Sequence, residues 1–424
     1  MSDKPQAVTC NDREYRFPRR PTIVVCIDGS EPGYIESAIE AGLAPNFARF
    51  MSDGADGGAN MLAHSVVPSF TNPNNMSIIT GRPPVVHGIA GNYFYDPDTG
   101  TEVMMNSPEF LRAPTIMQAF HDAGARVAVV TAKDKLRGLL CKGIDFSSKR
   151  AVGFSSERAD QVNMDVNGID DVLAMVDKPL PDVYSADLSE FVMAAGVKLL
   201  EQFKPDVMYL STTDYIQHKA APGSETANAF YAMMDRYVGE LDAAGATLVL
   251  TADHGMNDKH DSSGEPDVIY LQELMDQWLG RGVEDGGARV ILPITDPYVV
   301  HHGALGSFAT IYLPDDADVP STIERLQAID GIELAEAKTE ACARFELPTD
   351  RVGDLVVVST RQKVLGTSAD LHDLSGLTEP LRSHGGMTEQ VVPMIANRRL
   401  AHGKEGQLRN FDVFDVALNR LVEA

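Results

Sequence analysis

The sequence predicts an α/β protein, a mostly parallel central sheet flanked by helices with a smaller inserted α+β cap. Three observations carry this. Short, nearly continuous apolar runs rich in β-branched residues alternate with helical patterns, as strands covered on both faces require. Turn-rich acidic sequence then breaks that texture after Asp253-His254-Gly255, and core-like sequence returns near the C-terminus.

Taken in order, the first strand is expected at Thr22–Ile27 (TIVVCI). A helix over Thr115–Ala123 follows Pro114 and is closed by Gly124, and the second strand is Arg126–Val130. Ser189–Phe203 reads as a helix leading into the third strand, Asp206–Leu210. In the next helix, Ser224–Ala243, Phe230, Met234, Tyr237 and Leu241 recur at three-and-four spacing before Gly245 and the fourth strand, Ala246–Leu250. Three β runs (Arg289–Leu292, Phe308–Leu313, Asp354–Val358) and one helix pattern (Ser321–Ile329) fall in the acidic stretch. Gln390–Ile395 resembles core again, and Phe411–Leu421 is an amphipathic helix. These boundaries give a catalytic core of residues 1–264 and 379–424 with an inserted cap of residues 265–378. The residues before Pro18 are expected to form a loose arm.

Composition narrows the class. The 424 residues are 44% hydrophobic and 23% charged, enough to bury a full core. Their 36 Lys and Arg against 61 Asp and Glu give a net charge of −25, which repels nucleic acid and anionic lipid. No apolar run approaches the ~18 residues of a spanning helix, and the polar start has no signal-peptide core, so a cytoplasmic location is expected. Cys10, Cys26, Cys141 and Cys342 form no CxxC pair and are expected to be reduced. Oligomeric state is not set by the sequence; a homodimer is compatible with it.

In parallel α/β sheets, functional groups collect beyond the carboxyl ends of strands. Asp28 follows the first strand, Asp214 and His218 the third, and Asp253-His254 the fourth; His384 sits in the glycine-rich Ser383-His384-Gly385-Gly386 loop. Singly, such an Asp is often a helix cap and such a His a surface residue. Six together read as a metal site, and mixed imidazole and carboxylate ligation suits zinc, with manganese or iron as substitutes. Thr71 lies between Pro68 and Pro73, ahead of a helix-like run over Asn74–Ile79. Its hydroxyl either caps that helix or, beside a bound cation, ionises to become a nucleophile.

In this order, Asp28, Thr71, Asp214 with His218, Asp253-His254 and His384 resemble the alkaline phosphatase superfamily, within it the nucleotide pyrophosphatase/phosphodiesterase branch. PSFTNPNNMSIITGRPPVVHGI is similar to that branch's nucleophile loop and TADHGM to its strand-end metal motif. The resemblance implies an alkaline-phosphatase-like core and two zinc ions. One would be held by Asp28, Asp253, His254 and the Thr71 oxygen, the other by Asp214, His218 and His384. No arginine takes the place of the phosphate clamp of the alkaline phosphatases proper, which weighs against simple monoester hydrolysis. VTAKDKLR, with Asn92, further resembles the phosphonoacetate hydrolases of that branch. This implies that Lys133 and Lys135 hold a substrate carboxylate and that Asn92, with His218, contacts the phosphonyl group. The implied reaction cleaves a carbon–phosphorus bond through a phosphothreonine, giving acetate and phosphate with no organic cofactor.

Three other readings stand beside this one: a phosphodiesterase acting on nucleotides, a phosphoglycerate-mutase-like phosphotransferase, and a catalytically silent metal-binding module. His87, His260, His372 and the His301-His302 pair are left outside the metal set, although His260 is near enough in sequence to orient a ligand.

Overall fold

The apolar runs that stand out in the sequence become the centre of one sheet. Its strands are β1 (Thr22–Cys26), β2 (Ala59–His64), β3 (Val127–Thr131), β4 (Ala151–Ser155), β5 (Val207–Ser211), β6 (Thr247–Thr251), β7 (Val391–Ala396) and β8 (Leu408–Arg409). In this computed structural model they lie in the order β8-β2-β7-β6-β1-β5-β3-β4. Every residue of β1, β3, β4, β5 and β6 is buried, which explains why these strands read as continuous rather than alternating runs. Only β7 runs against its neighbours, β6 and β2; the other pairs are parallel. The structure describes residues 4–54, 56–294, 304–375, 377, 379–402 and 406–422. The His301-His302 pair lies outside them.

Helices cover both faces: α1 (Pro32–Glu40), α2 (Thr71–Thr80), α3 (Ile116–Asp122), α4 (Asp134–Leu140), α5 (Asp187–Gln202), α6 (Tyr215–Lys219) and α7 (Glu225–Ala243). Side chains of β1 divide strictly between two apolar clusters. Val24 and Cys26 join the cluster of α2, α3 and α4, whereas Ile23, Val25 and Ile27 join that of α1, α5 and α7. Caps agree with the sequence signals: Thr115 and Ser224 side chains accept from the backbone of Gln118 and Ala227.

Residues 265–378 contain a second, antiparallel sheet of four strands, in the order Arg289–Ile291, Phe308–Tyr312, Leu355–Ser359 and Ile332–Ala337. It packs against the main sheet's surroundings, with Phe70 and Phe308 edge-to-face at 6.4 Å.

Three expectations need correction. The N-terminal residues are not a loose arm: Ala7–Cys10 and Arg13–Arg16 form a hairpin, and Tyr15 is fully buried. Asn11 and Asp12 turn it with φ of 49° and 59°, the left-handed pair that such a two-residue turn demands. Second, α2 begins at Thr71, not at Asn74. Third, the last helix changes pitch, from a tight turn at Asn410–Asp412 through Val413–Asp415 to a wide turn at Val416–Arg420.

Candidate active site

The carboxyl ends of β1, β5 and β6 are level, with Cys26 opposite both Ser211 and Thr251. Consequently Asp28, Asp214 and Asp253-His254 leave the sheet side by side. Hydrogen bonds fix the turns: the Asp28 N–H donates to Thr212 Oγ1 (3.0 Å), and the N–H groups of Gly29 (3.2 Å) and His254 (3.0 Å) donate to Asp253 Oδ1. Gly29 has φ of 70°, and a Cβ there would stand 2.8 Å from Asp214 Cβ, so the close approach of the two turns requires glycine.

Two clusters result. Asp28, Asp253 and His254 each offer a ligand atom within 4.8 Å of the others, and so do Asp214, His218 and His384. All six are buried. His254 Nε2 lies 3.4 Å from Asp28 Oδ1 and 3.8 Å from Asp253 Oδ2. His218 Nε2 and His384 Nε2 lie 3.0 Å and 3.6 Å from Asp214 Oδ2.

The histidine tautomers test whether these residues suit a cation. Each ring donates from Nδ1 to a backbone carbonyl: His254 to Gly255 (2.9 Å), His218 to Arg382 (2.9 Å) and His384 to Ser69 (2.7 Å). A carbonyl only accepts, so Nδ1 carries a proton in each ring, and Nε2 is the nitrogen turned toward a carboxylate oxygen, where a neutral ring offers a lone pair. Lone pairs facing one another in a buried site repel, and a metal ion between them converts the repulsion into ligation. His254 Nε2 is buried with no hydrogen-bond partner among the described residues. Burial, and then His254, push His384 well below the ordinary imidazole value, so this ring stays neutral. Burial pushes the Asp253 carboxyl up against the opposing influence of His254, which marks a carboxylate short of positive charge. The donor set fits a divalent metal at each cluster.

Thr71 is the first residue of α2, following Phe70, and its side chain does not cap the helix. The N-cap alternative therefore fails. Its carbonyl accepts from Asn75 Nδ2 (3.1 Å), and the same Nδ2 donates to Asp253 Oδ2 (3.1 Å), tying the start of α2 to the first cluster.

A cavity of about 90 Å³ shares Asp28 with that cluster and is also lined by Thr71, Asn92, Lys133 and Lys135. Asp214, His218, Asp253, His254 and His384 are not part of its lining. The Asn92 carboxamide is oriented: Oδ1 accepts from the Asn72 N–H (3.0 Å), which leaves Nδ2 as a donor with no partner among the described residues. Lys133 and Lys135 flank the start of α4, and that turn is bolted to the end of β4. Glu157 Oε2 accepts from the Asp134 N–H (2.9 Å), and Asp134 Oδ1 accepts from Ser155 Oγ (2.9 Å) and Arg137 Nε (2.8 Å). Arg137 thus offsets Asp134, and Lys133 and Lys135 line this end of the cavity together with Glu157.

Sequence reasoning missed Asn72, Asn75 and Glu157. The run Thr71-Asn72-Pro73-Asn74-Asn75 was the available signal for the first two, since polar carboxamides crowded into one buried helix turn need partners. Glu157 follows β4 as Asp28 follows β1 but carried no companion ligand to mark it. His260, weighed as an orienting residue, bonds the Asp261 carbonyl at the surface instead.

Residues 22–387 match the family described as type I phosphodiesterase / nucleotide pyrophosphatase. The chain belongs to this family. It is 62% identical, over 97% of its length and 98% of the other chain, to a phosphonoacetate hydrolase from Sinorhizobium meliloti 1021 in complex with phosphonoformate, with a TM-score of 0.92. The complex of that protein with phosphonoacetate aligns at 61% identity over the same shares and the same TM-score of 0.92. Murine ectonucleotide pyrophosphatase / phosphodiesterase 5 shares the fold at 17% identity and a TM-score of 0.61, with 93% of each chain covered. An uncharacterised pyrophosphatase/phosphodiesterase of Schizosaccharomyces pombe is 25% identical over 59% of this chain, and the match spans 47% of that relative's own length. No helix among the described residues is long and apolar enough to cross a membrane.

Proposed function

We propose that the protein hydrolyses the carbon–phosphorus bond of phosphonoacetate to acetate and phosphate. The observation that carries this is the cavity in which Thr71 and Asp28 are joined to Lys133, Lys135 and Asn92, in a chain so similar to a phosphonoacetate hydrolase. Phosphonoacetate has a phosphonate and a carboxylate on one methylene, so its site needs ligands for a Lewis acid and fixed cations together.

Asp28, Asp253 and His254 would hold one zinc ion and Asp214, His218 and His384 a second, with manganese or iron as substitutes. Ions bound there supply Lewis acidity, easing ionisation of a hydroxyl and offsetting charge on phosphonyl oxygens. Thr71 Oγ attacks phosphorus, a phosphothreonine forms, and the C–P bond breaks. The electron pair passes to the methylene carbon and spreads into the carboxylate, where Lys133 and Lys135 offset the growing charge. Protonation by water gives acetate, and a second water cleaves the phosphothreonine. Asn92, through Nδ2, orients a phosphonyl oxygen, whereas His218, with Nδ1 on the Arg382 carbonyl and Nε2 in the second cluster, would act on that group only through a bound ion. Four buried thiols suit a reducing cytoplasm, and residues 265–378, with a sheet of their own, serve as the cap.

The family description favours a second reading, phosphodiester hydrolysis at the same residues. Two lysines facing the leaving-group end are better explained by a carboxylate. Phosphate release from phosphonoacetate, a nitrophenyl diester and a phosphomonoester, measured side by side, decides: phosphonoacetate should be turned over fastest. Thr71→Ala should stay folded and metal-loaded yet form no covalent phosphoenzyme. Near wild-type turnover by that variant would mean direct attack by water.

A further inference from the structure

Lys259 and Glu389 form an ion pair sealed inside the protein, with both side chains essentially unexposed and Nζ 2.9 Å from Oε1. Neither belongs to a candidate metal cluster or to the cavity. Replacing such a pair by apolar side chains is often neutral or stabilising, so a buried pair suggests a duty other than stability. Its contacts name that duty. The Glu389 carbonyl accepts from the Gly255 N–H (2.7 Å), next to His254, and Glu389 Oε2 accepts from the Gly386 N–H (2.8 Å), two residues past His384. Oε1 also accepts from Asn257 Nδ2 (2.6 Å) and Thr388 Oγ1 (2.7 Å). Lys259 Nζ donates onward to the Arg361 carbonyl (2.7 Å), and its backbone N–H bonds the Leu381 carbonyl (2.8 Å). Residues 257–258 pair antiparallel with 382–383, so the two ligand-bearing segments run together and Glu389 closes them at one end.

We propose that Glu389, held by Lys259, is a positioning residue whose carboxylate sets the spacing between the two metal clusters by joining Gly386 of the His384 loop to Asn257, three residues past His254. This rests on the clusters holding metal ions. The carboxylate is needed because one acceptor group must serve a backbone N–H, a carboxamide, a hydroxyl and an ammonium at once, which an amide oxygen cannot do.

The test compares two double variants, each free of an unpaired buried charge. Lys259→Met with Glu389→Gln keeps an acceptor for Gly386; Lys259→Met with Glu389→Leu does not. Zinc affinity at each site is read on the folded, metal-stripped protein by competition with a chelator, with circular dichroism and thermal melting alongside. The leucine variant should fold and lose about tenfold or more in affinity at both sites, the scale for losing a group that orients ligands. The glutamine variant should stay within about threefold of wild type on the same scale. Unchanged affinity at both sites in a folded leucine variant overturns the proposal. Should that variant not fold, Glu389→Gln alone decides. Its amide cannot satisfy Lys259 and Gly386 together, so both affinities must fall, and unchanged values overturn the proposal. A wild-type chain that takes up no zinc sinks the metal reading and this one with it.

Discussion

His254 and His384 stack face to face, with ring centroids 3.7 Å apart and planes 8° from parallel, although they belong to different clusters. Each ring has its Nδ1 pinned to a backbone carbonyl, so neither can rotate away. Loss of one ring therefore removes a ligand from one cluster and a packing partner from the other.

Asp214→Asn should deplete the second cluster first, because Asp214 Oδ2 is the oxygen that the Nε2 atoms of both His218 and His384 face. Elemental analysis of the purified variant should find metal falling from two ions toward one per chain. His384→Ala, which also removes the stacked ring, should weaken both. A variant pair with identical, unchanged metal content would remove the basis for assigning two clusters.

The lysines should differ in weight. Lys133 is half-buried and Lys135 exposed, and solvent screens the exposed charge. On phosphonoacetate, Lys133→Ala is expected to cost about 2 to 4 kcal/mol in kcat/KM, the scale of a preorganised electrostatic donor, with part of the loss in kcat. Lys135→Ala should cost less. A diester without a carboxylate should be hardly affected by either. Equal losses on both substrates would mean that the lysines do not read a carboxylate.

Asn75 links four groups. Its Nδ2 serves Thr71 and Asp253, while its Oδ1 accepts from Tyr209 OH (2.7 Å) and Ser211 Oγ (3.1 Å). Asn75→Ala leaves the buried Tyr209 hydroxyl and Asp253 Oδ2 each without that partner, so a stability loss of about 1 to 3 kcal/mol is expected in urea unfolding. Turnover should fall as well, because Thr71 loses its tie to the first cluster. An unchanged urea midpoint would show that the carboxamide is dispensable.

Stability should decline on mild acidification for an identifiable reason. Burial, and then Arg351, lower the His87 imidazole from 6.5 to about 3. The ring accepts from the Ile89 N–H at Nδ1 (3.2 Å) and meets Ser77 Oγ at Nε2 (2.9 Å), so it is held neutral. Unfolded chains take up a proton here below 6.5 while the fold does not. The contribution is thus complete above 6.5 and is lost as pH falls toward about 3, by up to about 1.4 kcal/mol per pH unit. His87→Gln should flatten the dependence of the urea midpoint between pH 7 and pH 4; an unaltered slope would rule His87 out as its source.

Much of the fold was legible because the central strands announce themselves. Short, nearly continuous apolar runs followed within a few residues by Asp28, Asp214 or Asp253 combine a burial signal with a chemical one. The N-terminal hairpin gave neither: each strand has four residues, and Tyr15 is its one large buried side chain. Thr71, Lys133 and Asn92 were found through local motifs. Glu389 was not, because its meaning depends on Lys259, 130 residues away, and no local pattern encodes that encounter. For Asn75 the asparagine-rich run signals only that partners are needed; which they are, in β5 and in the turn after β6, no local pattern encodes.

The cavity draws its opposite chemistries from separate stretches of chain. Asp28, Thr71 and Thr212 come with the turns that carry the candidate metal ligands, whereas Asn92 comes from the loop before the Tyr93–Asp96 strand, Lys133 and Lys135 from the crossover between β3 and β4, and Glu157 from the turn after β4. On the proposed reading, bond cleavage and leaving-group recognition therefore rest on separate stretches of chain. Substitutions confined to the crossover then change which leaving group fits while sparing Asp28 and Thr71, which makes that short segment the place to begin engineering.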